Sequence, residues 1–273
     1  MLKTRVLTAM VVLALFLAAL FLLSEKGWIA CCALVLAAAA WEWGGLAVLA
    51  MPGRCAFAAL AVALFLIPAA TGVPRPLLLP AWAYFAAAAF WIFLAPLWIW
   101  LGPRAGSRPL VLAAGVAALV PSFAALVDLR AVGPQMLLGV LAAIWISDSA
   151  AYLVGRRFGR HKLAPSISPG KSWEGVAAAL VAVALYALGW ACWGGPSGMP
   201  GWADGKAAGI ATMVLVLLGL AVAGMIGDLF ESLIKRHAGV KDSGTLLPGH
   251  GGILDRIDAP AAVLPLAVVA FIR

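Results

Sequence analysis

Long apolar runs separated by short polar segments make up most of the chain, and they predict a bundle of membrane-spanning helices. A helix needs about 20 mostly apolar residues to cross a bilayer. Such runs cover residues 5–23, 28–50, 55–71, 80–101, 109–127, 135–154, 175–194, 209–230 and 256–272. The expected fold class is therefore all-α, a polytopic integral membrane protein with about nine transmembrane helices.

The polar residues are unevenly distributed between the two halves of this bundle. Residues 1–130 are expected to form N-terminal transmembrane helices joined by short loops that contain Pro or Gly. Residues 131–273 are expected to form a C-terminal transmembrane catalytic region with two long polar loops, 155–174 and 231–255. We see no internal repeat, which disfavours the repeat-built architectures that are common among transporters.

Composition supports a membrane protein. The 273 residues are 65% hydrophobic and 11% charged, whereas soluble domains carry about 25% charged residues. The net charge of +8 comes from residues scattered through short loops, without the basic stripe of a nucleic-acid-binding protein. The four cysteines lie in apolar runs without metal-ligand spacing, and we interpret them as small buried residues.

Most of the lysine and arginine residues fall on one side if the N-terminus is placed in the cytoplasm. The positive-inside rule favours this orientation. Both long polar loops then lie on the cytoplasmic side, so the two segments that carry the candidate chemistry share a compartment.

The longest polar run extends from Asp228 to Asp258. Its first part places Asp228, Glu231, Ser232 and Lys235 at i, i+3, i+4 and i+7, which is one stripe of a helix. Such a stripe can present carboxylate, hydroxyl and ammonium groups to one polar cavity. A salt bridge internal to the end of the helix is the simpler alternative.

A glycine-rich loop follows this stripe and predicts phosphate binding. Its glycines permit close backbone approach and positive φ, and successive backbone N–H groups can bind an anion. Lys235, Arg236 and Lys241 add cationic donors, and arginine suits bidentate contacts to phosphate.

The same run contains four aspartates, namely Asp228, Asp242, Asp255 and Asp258. Carboxylates suit Mg²⁺, which commonly uses one or two of them together with substrate phosphates. Internal pairing, such as Asp255 with Arg256, is the alternative. A zinc site is not supported because only two histidines lie nearby.

The other long loop contains five basic residues and opens onto a helix at Ser168-Pro-Gly-Lys171-Ser172. A helix N-terminus beside a lysine can bind an anion, although basic residues here also fit simple orientation or anionic head-group contacts. Asp148 lies within an apolar span, where a carboxylate is a functional candidate. We expect Glu42 to be a packed or interfacial polar residue and Asp128 to be solvated.

These motifs resemble those of one enzyme family. The longest reads Ser232-Leu-Ile-Lys235-Arg236-x4-Lys241-Asp242-x-Gly244-x3-Pro248-Gly-His250-Gly-Gly252-x2-Asp255-Arg256-x-Asp258. Two further segments are Asp148-x-x-Ala-Tyr152-x-x-Gly155-Arg156 and Ser168-Pro-x-Lys171-Ser-Trp-Glu174-Gly. Together they resemble the phosphatidate cytidylyltransferases, or CDP-diacylglycerol synthases. Gly170 departs from the family, which often has a second basic residue there.

The resemblance implies transfer of CMP from CTP to phosphatidic acid, with release of pyrophosphate. It also implies a Mg²⁺ requirement with a possible second, monovalent cation such as K⁺, a bacterial inner-membrane location, an active site that faces the cytoplasm, and a homodimer. No nucleic acid partner is expected.

The resemblance and the motifs together give candidate residues in four roles. The predicted catalytic residues are Asp228, Lys235, Asp242, Asp255 and Asp258, with Asp228 and Asp255 as metal ligands. The predicted CTP and phosphate ligands are Ser232, Lys235, Arg236, Lys241, His250, Gly251, Gly252 and Arg256. The predicted phosphatidate-binding residues are Asp148, Arg156, Lys171, Ser172 and Glu174.

Two other functions are compatible with parts of this pattern. A CTP-dependent lipid or polyprenol kinase shares a similar lysine-aspartate and glycine-rich stretch but transfers the γ-phosphate. An ion-coupled transporter would explain the intramembrane acids but not the glycine-rich loop.

Overall fold

The computed structural model describes residues 2–70, 77–102, 106–192, 207–246 and 251–272. Within these ranges the protein is almost entirely helical. The helices are α1 (Leu2–Leu22), α2 (Glu25–Leu46), α3 (Met51–Ala70), α4 (Ala81–Ala89), α5 (Ala95–Leu101), α6 (Arg108–Val132), α7 (Pro134–Phe158), α8 (Trp173–Cys192), α9 (Ala207–His237) and α10 (Leu254–Phe271). A π-helical segment, Phe90–Leu94, joins α4 to α5.

Each predicted span falls on a helical segment, and the fourth contains α4, the π-helical segment and α5. In the described part of the chain, seven helical segments are long and apolar enough to cross a membrane. They are Glu25–Leu46, Met51–Pro68, Ala81–Leu101, Arg108–Val132, Pro134–Phe158, Trp173–Cys192 and Ala207–His237. The protein is therefore a multi-pass helical membrane protein, whereas the count of nine spans and the orientation stay predictions.

The helical architecture confirms the all-α expectation, with one local exception, an antiparallel hairpin between α7 and α8. Strands β1 (Lys162–Ala164) and β2 (Ser168–Ser172) pair with Lys162 opposite Ser172 and Ala164 opposite Ser168. The backbone N–H of Ile167 donates to the carbonyl of Ala164 at 3.2 Å. Pro165 follows Ala164, a turn position for which proline's fixed φ is suited.

The second polar loop starts later than expected because α9 continues to His237. Its last turn contains Lys235, Arg236 and His237, and basic residues at this position interact favourably with the helix dipole. The stripe that begins at Asp228 therefore lies entirely within a helix, as its spacing predicts.

An aromatic cluster surrounds Phe230, a residue of α9 that lies between Asp228 and Glu231. The fully buried ring of Phe230 lies 5.4 to 6.5 Å, centroid to centroid, from the rings of Trp43, Phe90, Trp91 and Trp98. Three of these partners come from the π-helical segment and α5. Pro96, which lacks an N–H, follows this segment, and the wider turn accommodates the missing helical hydrogen bond.

Small residues allow α9 and α10 to pack closely. A Cβ at Gly227 would lie 2.5 Å from the carbonyl oxygen of Asp258, and one at Gly224 would lie 3.3 Å from Val263. Between α7 and α8, a Cβ at Gly175 would lie 2.8 Å from the carbonyl oxygen of Ala151. The start of α8 is thus level with Ala151, inside the end of α7.

The expectation of a solvated Asp128 is wrong. This residue is buried in α6 and accepts hydrogen bonds from the hydroxyl of Tyr84 and from the backbone N–H of Leu78, the latter at 2.8 Å. Burial is possible because two donors compensate for lost hydration.

Candidate active site

The two polar segments predicted to share a compartment meet at one end of the bundle. The Nε of Arg236, in the last turn of α9, donates to the carbonyl of Ile167 in the hairpin at 3.3 Å. Its Nη1 donates to the carbonyl of Val240 at 3.3 Å. Arg236 therefore joins the hairpin to the segment after α9.

The first charged cluster is centred on Lys171. Its ammonium nitrogen lies 2.7 Å from Asp228 Oδ2, and the Ser232 hydroxyl donates to Asp228 Oδ1 at 3.3 Å. Asp148 of α7 and Asp258 of α10 are near enough to interact electrostatically with Lys171 and Asp228. Aspartates from three helices thus lie within electrostatic range of Lys171, which β2 supplies, and Asp228 pairs with it directly.

The second cluster is centred on Lys235 and is more deeply buried. The Lys235 ammonium lies 3.1 Å from Glu231 Oε2 and 2.6 Å from Asp255 Oδ1. The other oxygen of Asp255, Oδ2, accepts from the backbone N–H groups of Ser243 at 3.0 Å and Gly252 at 2.9 Å. Asp255 therefore fixes Lys235 and the glycine-rich loop at once.

The two predicted metal ligands belong to different clusters. Asp228 pairs with Lys171, whereas Asp255 pairs with Lys235. In the described ranges, no group of three or more His, Cys, Asp and Glu side chains is arranged to hold a metal ion. A Mg²⁺ site completed by substrate phosphates needs only one or two carboxylates.

The surroundings of the two aspartates differ in how well they suit a metal. The Asp228 side chain is 35% exposed, so an oxygen that contacts Lys171 or Ser232 can also face a cation. Asp255 is 9% exposed and both its oxygens already accept hydrogen bonds. A hard cation therefore fits at Asp228 better than at Asp255. In the Lys235 cluster, Glu231 Oε1 is a buried oxygen without a hydrogen-bond partner in the described part of the structure.

Three of the predicted phosphate ligands, Arg236, Lys241 and Arg256, are exposed. Asp242, a predicted catalytic residue, is exposed as well. Gly239 and Gly251 have φ of 74° and 82°, the left-handed backbone that the glycine-rich sequence predicts. Lys235, by contrast, is a buried residue with two carboxylate partners.

Comparison with known proteins identifies the family of this chain. The model of the cytidylyltransferase family matches residues 3–272. The chain belongs to this family. A phosphatidate cytidylyltransferase of Pseudomonas aeruginosa is 37% identical over 97% of this chain and 95% of its own. Another, from Haemophilus influenzae, is 34% identical over 97% of this chain and 96% of its own. A third, from Staphylococcus saprophyticus, is 39% identical over 55% of this chain and 54% of its own.

Two residues predicted to bind phosphatidate have structural contacts that the motif does not reveal. Ser172 is 3% exposed, and its hydroxyl accepts from the backbone N–H of Gly175 at 3.3 Å. It therefore caps α8. Glu174 lies 2.7 Å from His161 Nδ1 and also accepts from the His161 backbone N–H. These contacts close the base of the hairpin that presents Lys171, and a direct role for either residue in lipid binding stays a prediction.

Of the remaining candidates, Arg156 is exposed at the end of α7, where its Nη1 donates to the Tyr152 hydroxyl at 2.9 Å. His250 lies outside the described residues.

Sequence reasoning missed Glu42 as part of this site. The side chain is 1% exposed, although the residue lies in α2, more than 180 positions before the main motif. It accepts hydrogen bonds from the Ser243 hydroxyl at 3.2 Å and from the backbone N–H of Leu254 at 2.9 Å. Its only sequence signal is a carboxylate between two tryptophans in an apolar run.

Proposed function

We propose that this protein transfers CMP from CTP to phosphatidic acid and releases pyrophosphate, producing CDP-diacylglycerol for phospholipid synthesis. The contact between Lys171 and Asp228 is the structural observation that carries the proposal. It joins a lysine beside a helix N-terminus to the glycine-rich and acidic run. Similarity to phosphatidate cytidylyltransferases over nearly the whole chain supports the same reaction.

The reaction needs positioned charges rather than a covalent intermediate. A phosphate oxygen of phosphatidic acid attacks the α-phosphorus of CTP, forming a new P–O bond. The bond between the α-phosphorus and the oxygen bridging to the β-phosphate breaks, and pyrophosphate leaves with that electron pair. Alignment of the two phosphates and neutralisation of their charge provide most of the catalysis in such transfers.

Each phosphate has its own group of cations in this arrangement. Lys171, and Arg156 at the end of α7, would hold the phosphate of phosphatidic acid, while Asp148 orients Lys171. Arg236, Lys241 and Arg256 are exposed and would hold the phosphates of CTP. Lys235 is buried between Glu231 and Asp255, so we assign it to ordering Asp255 until substrate displaces one of these contacts.

A magnesium ion, when bound, would neutralise charge on the transferred and leaving phosphates. Asp228 would hold it, with Asp255 as the second predicted ligand. Asp258 and Asp242 would be candidates for a direct or a water-mediated contact with the ion. Because substrate phosphates complete such a site, binding of metal and of CTP should depend on each other.

The proposed setting is a bacterial inner membrane, with this end of the bundle facing the cytoplasm, where CTP is available. Phosphatidic acid would then reach Lys171 from the adjacent lipid leaflet. A homodimer is part of the proposal by resemblance to the family.

The test is label transfer in nanodiscs that contain phosphatidic acid and Mg²⁺. CTP carrying label at the α-phosphate should yield labelled lipid and unlabelled pyrophosphate. CTP labelled at the γ-phosphate should yield labelled pyrophosphate and no labelled lipid.

The same assay with diacylglycerol and polyprenol acceptors distinguishes the alternative enzyme. Transfer of γ-label to any lipid would overturn the proposal and identify a kinase. No label in any lipid, from protein whose thermal transition shows that it is folded, would also overturn it. Ion flux into proteoliposomes without nucleotide would then identify a transporter.

A further inference from the structure

Glu42 occupies a rigid position in α2, four residues before the helix ends at Leu46. The neighbouring Trp43 donates from Nε1 to the carbonyl of Val111 at 2.8 Å and stacks against Phe230. Because Trp43 is 3% exposed and held on both sides, the backbone that carries Glu42 has little freedom. The carboxylate is therefore presented in a fixed direction.

That direction is toward the start of α10. Glu42 Oε1 accepts from the backbone N–H of Ile253 at 3.1 Å, and Oε2 accepts from the backbone N–H of Leu254 at 2.9 Å. The first N–H groups of a helix lack acceptors within the helix and carry its positive dipole end. A carboxylate on a different helix thus satisfies these donors.

These donors take the place of a cationic partner. Among the described residues, the ion pairs of this site use Lys171 and Lys235, and none includes Glu42. A buried carboxylate without a cation is stable only when several donors surround it. The Glu42 carboxylate and the backbone N–H groups at the start of α10 consequently satisfy each other's hydrogen-bonding requirements.

The glycine-rich loop closes around the same carboxylate. A Cβ at Gly244 would lie 2.4 Å from Glu42 Oε1, and a Cβ at Gly252 would lie 2.5 Å from Oε2. Any side chain at either position would push against the carboxylate. The sequence predicts that Gly244 and Gly252 allow a phosphate to approach the backbone closely. The structure shows that they also leave room for the Glu42 carboxylate.

Ser243 connects this carboxylate to the second charged cluster. Its hydroxyl lies 3.2 Å from Glu42 Oε2 and 2.9 Å from Asp255 Oδ2, and its single proton can serve only one of them at a time. Its backbone N–H also donates to Asp255. Displacement of Ser243 would therefore move Asp255, and with it Lys235.

We propose that Glu42 is a positioning residue for the transfer reaction. It fixes Ser243 and the start of α10, and through them it sets the direction of Asp255 and Lys235 toward the substrate phosphates. The inference rests on the proposed function, and it adds a helix from the N-terminal half of the chain to the active site.

The first test replaces Glu42 with Gln and with Asp and measures kcat, KM and Mg²⁺ dependence well below the thermal transition. Gln directs an NH₂ group at one of three donors, and a shift of about 1 Å at a site can cost on the order of a hundredfold in rate. We expect Glu42→Gln to lower kcat by that order and to raise the Mg²⁺ requirement, with KM for phosphatidic acid unchanged. Glu42→Asp keeps the charge and should recover part of kcat.

Glu25→Gln is the matched control, because Glu25 is exposed at the start of the same helix. It should behave as wild type. If Glu42→Gln lowers only the thermal midpoint and leaves kcat and the Mg²⁺ requirement unchanged, the positioning role is wrong. If the wild-type protein itself transfers no α-label, the proposed function fails instead.

A second test uses coupling between Glu42 and Gly244. Gly244→Ala should lower the thermal midpoint strongly in wild type and much less in a Glu42→Ala background, because the carboxylate that the new methyl group meets is gone. Residues in contact show such non-additivity. Equal shifts in both backgrounds would show that the loop does not enclose Glu42 and would overturn the inference, even if the Glu42 variants fold poorly.

Discussion

The ammonium of Lys171 lies 2.7 Å from Asp228 Oδ2, which ties the hairpin before α8 to a position well inside α9. Asp228 lies nine residues before the end of α9 at His237, about 14 Å along the axis at the usual helical rise. The hairpin therefore brings a cation to a level well before the end of α9. A lipid phosphate bound by Lys171 would lie beside this part of α9 rather than at its end.

This relationship predicts that both partners are needed for turnover. Lys171→Gln and Asp228→Asn should each lower the rate of α-label transfer by about a hundredfold or more, the usual effect of removing one positioned charge. Lys162→Gln is the control, since Lys162 is an exposed lysine on the opposite strand of the hairpin. A rate close to wild type for either main variant would contradict the assignment.

A second prediction concerns the metal. Removal of Mg²⁺ by a chelator should abolish transfer, and added Mg²⁺ should restore it. Asp228→Asn should weaken the binding of Mg²⁺ in the presence of CTP, as measured by calorimetry in nanodiscs. Unchanged metal affinity in that variant would remove Asp228 from the metal site.

Asp255→Asn tests the metal and loop-positioning roles of Asp255 together. The amide has one oxygen, so its NH₂ group must face either the Lys235 ammonium or the backbone donors of Ser243 and Gly252, and Lys235 keeps Glu231 as its only carboxylate partner. We expect loss of turnover together with a free energy of unfolding lower by about 1–3 kcal/mol. Near-normal activity would reject both predicted roles of Asp255.

A fourth prediction tests the close packing of α9 on α10. Gly227→Ala would place a methyl group 2.5 Å from the carbonyl oxygen of Asp258, and such overpacking costs about 1–3 kcal/mol. The thermal midpoint and the transfer rate should both fall. Gly219→Ala in the same helix meets nothing within 4 Å and should leave both unchanged or raise the midpoint slightly.

The buried pair of Tyr84 and Asp128 should affect stability without affecting chemistry. Tyr84→Phe removes a hydroxyl donor from a buried carboxylate, a loss of about 1–3 kcal/mol in the free energy of unfolding. The thermal midpoint should fall while kcat, measured well below it, stays at the wild-type value. Tyr152→Phe, at an exposed tyrosine, is the control for stability. A reduced kcat for Tyr84→Phe would show that this pair belongs to the active site.

The sequence was sufficient to place the helices and the stripe from Asp228 to Lys235 because both depend on local periodicity. Apolar runs of sufficient length form helices in a bilayer whatever their neighbours. Helical spacing likewise determines which side chains share a face. For the contact between Lys171 and Asp228, the sequence predicts only that the two segments lie in one compartment.

Contacts between distant parts of the chain could not be predicted in this way. Asp128 lies near the end of a span, where solvation is the simplest expectation, and only the fold brings Tyr84 and Leu78 to it. The hairpin between α7 and α8 has strands of three and five residues, too short to show a periodic pattern. The contacts of Glu42 could not be predicted either, because its hydrogen-bond donors all lie in the C-terminal half of the sequence.

The position of Glu42 has a consequence for any attempt to isolate a minimal enzyme. The recognisable motifs all fall after residue 131, so a fragment that starts there would contain every one of them. Such a fragment would lose the acceptor for the backbone N–H groups of Ile253 and Leu254, and one of the two carboxylates within reach of the Ser243 hydroxyl. Donors left without an acceptor in an apolar environment are costly. The motif-bearing half is thus not a self-sufficient unit, and co-expression with the preceding helices should be required to rescue it.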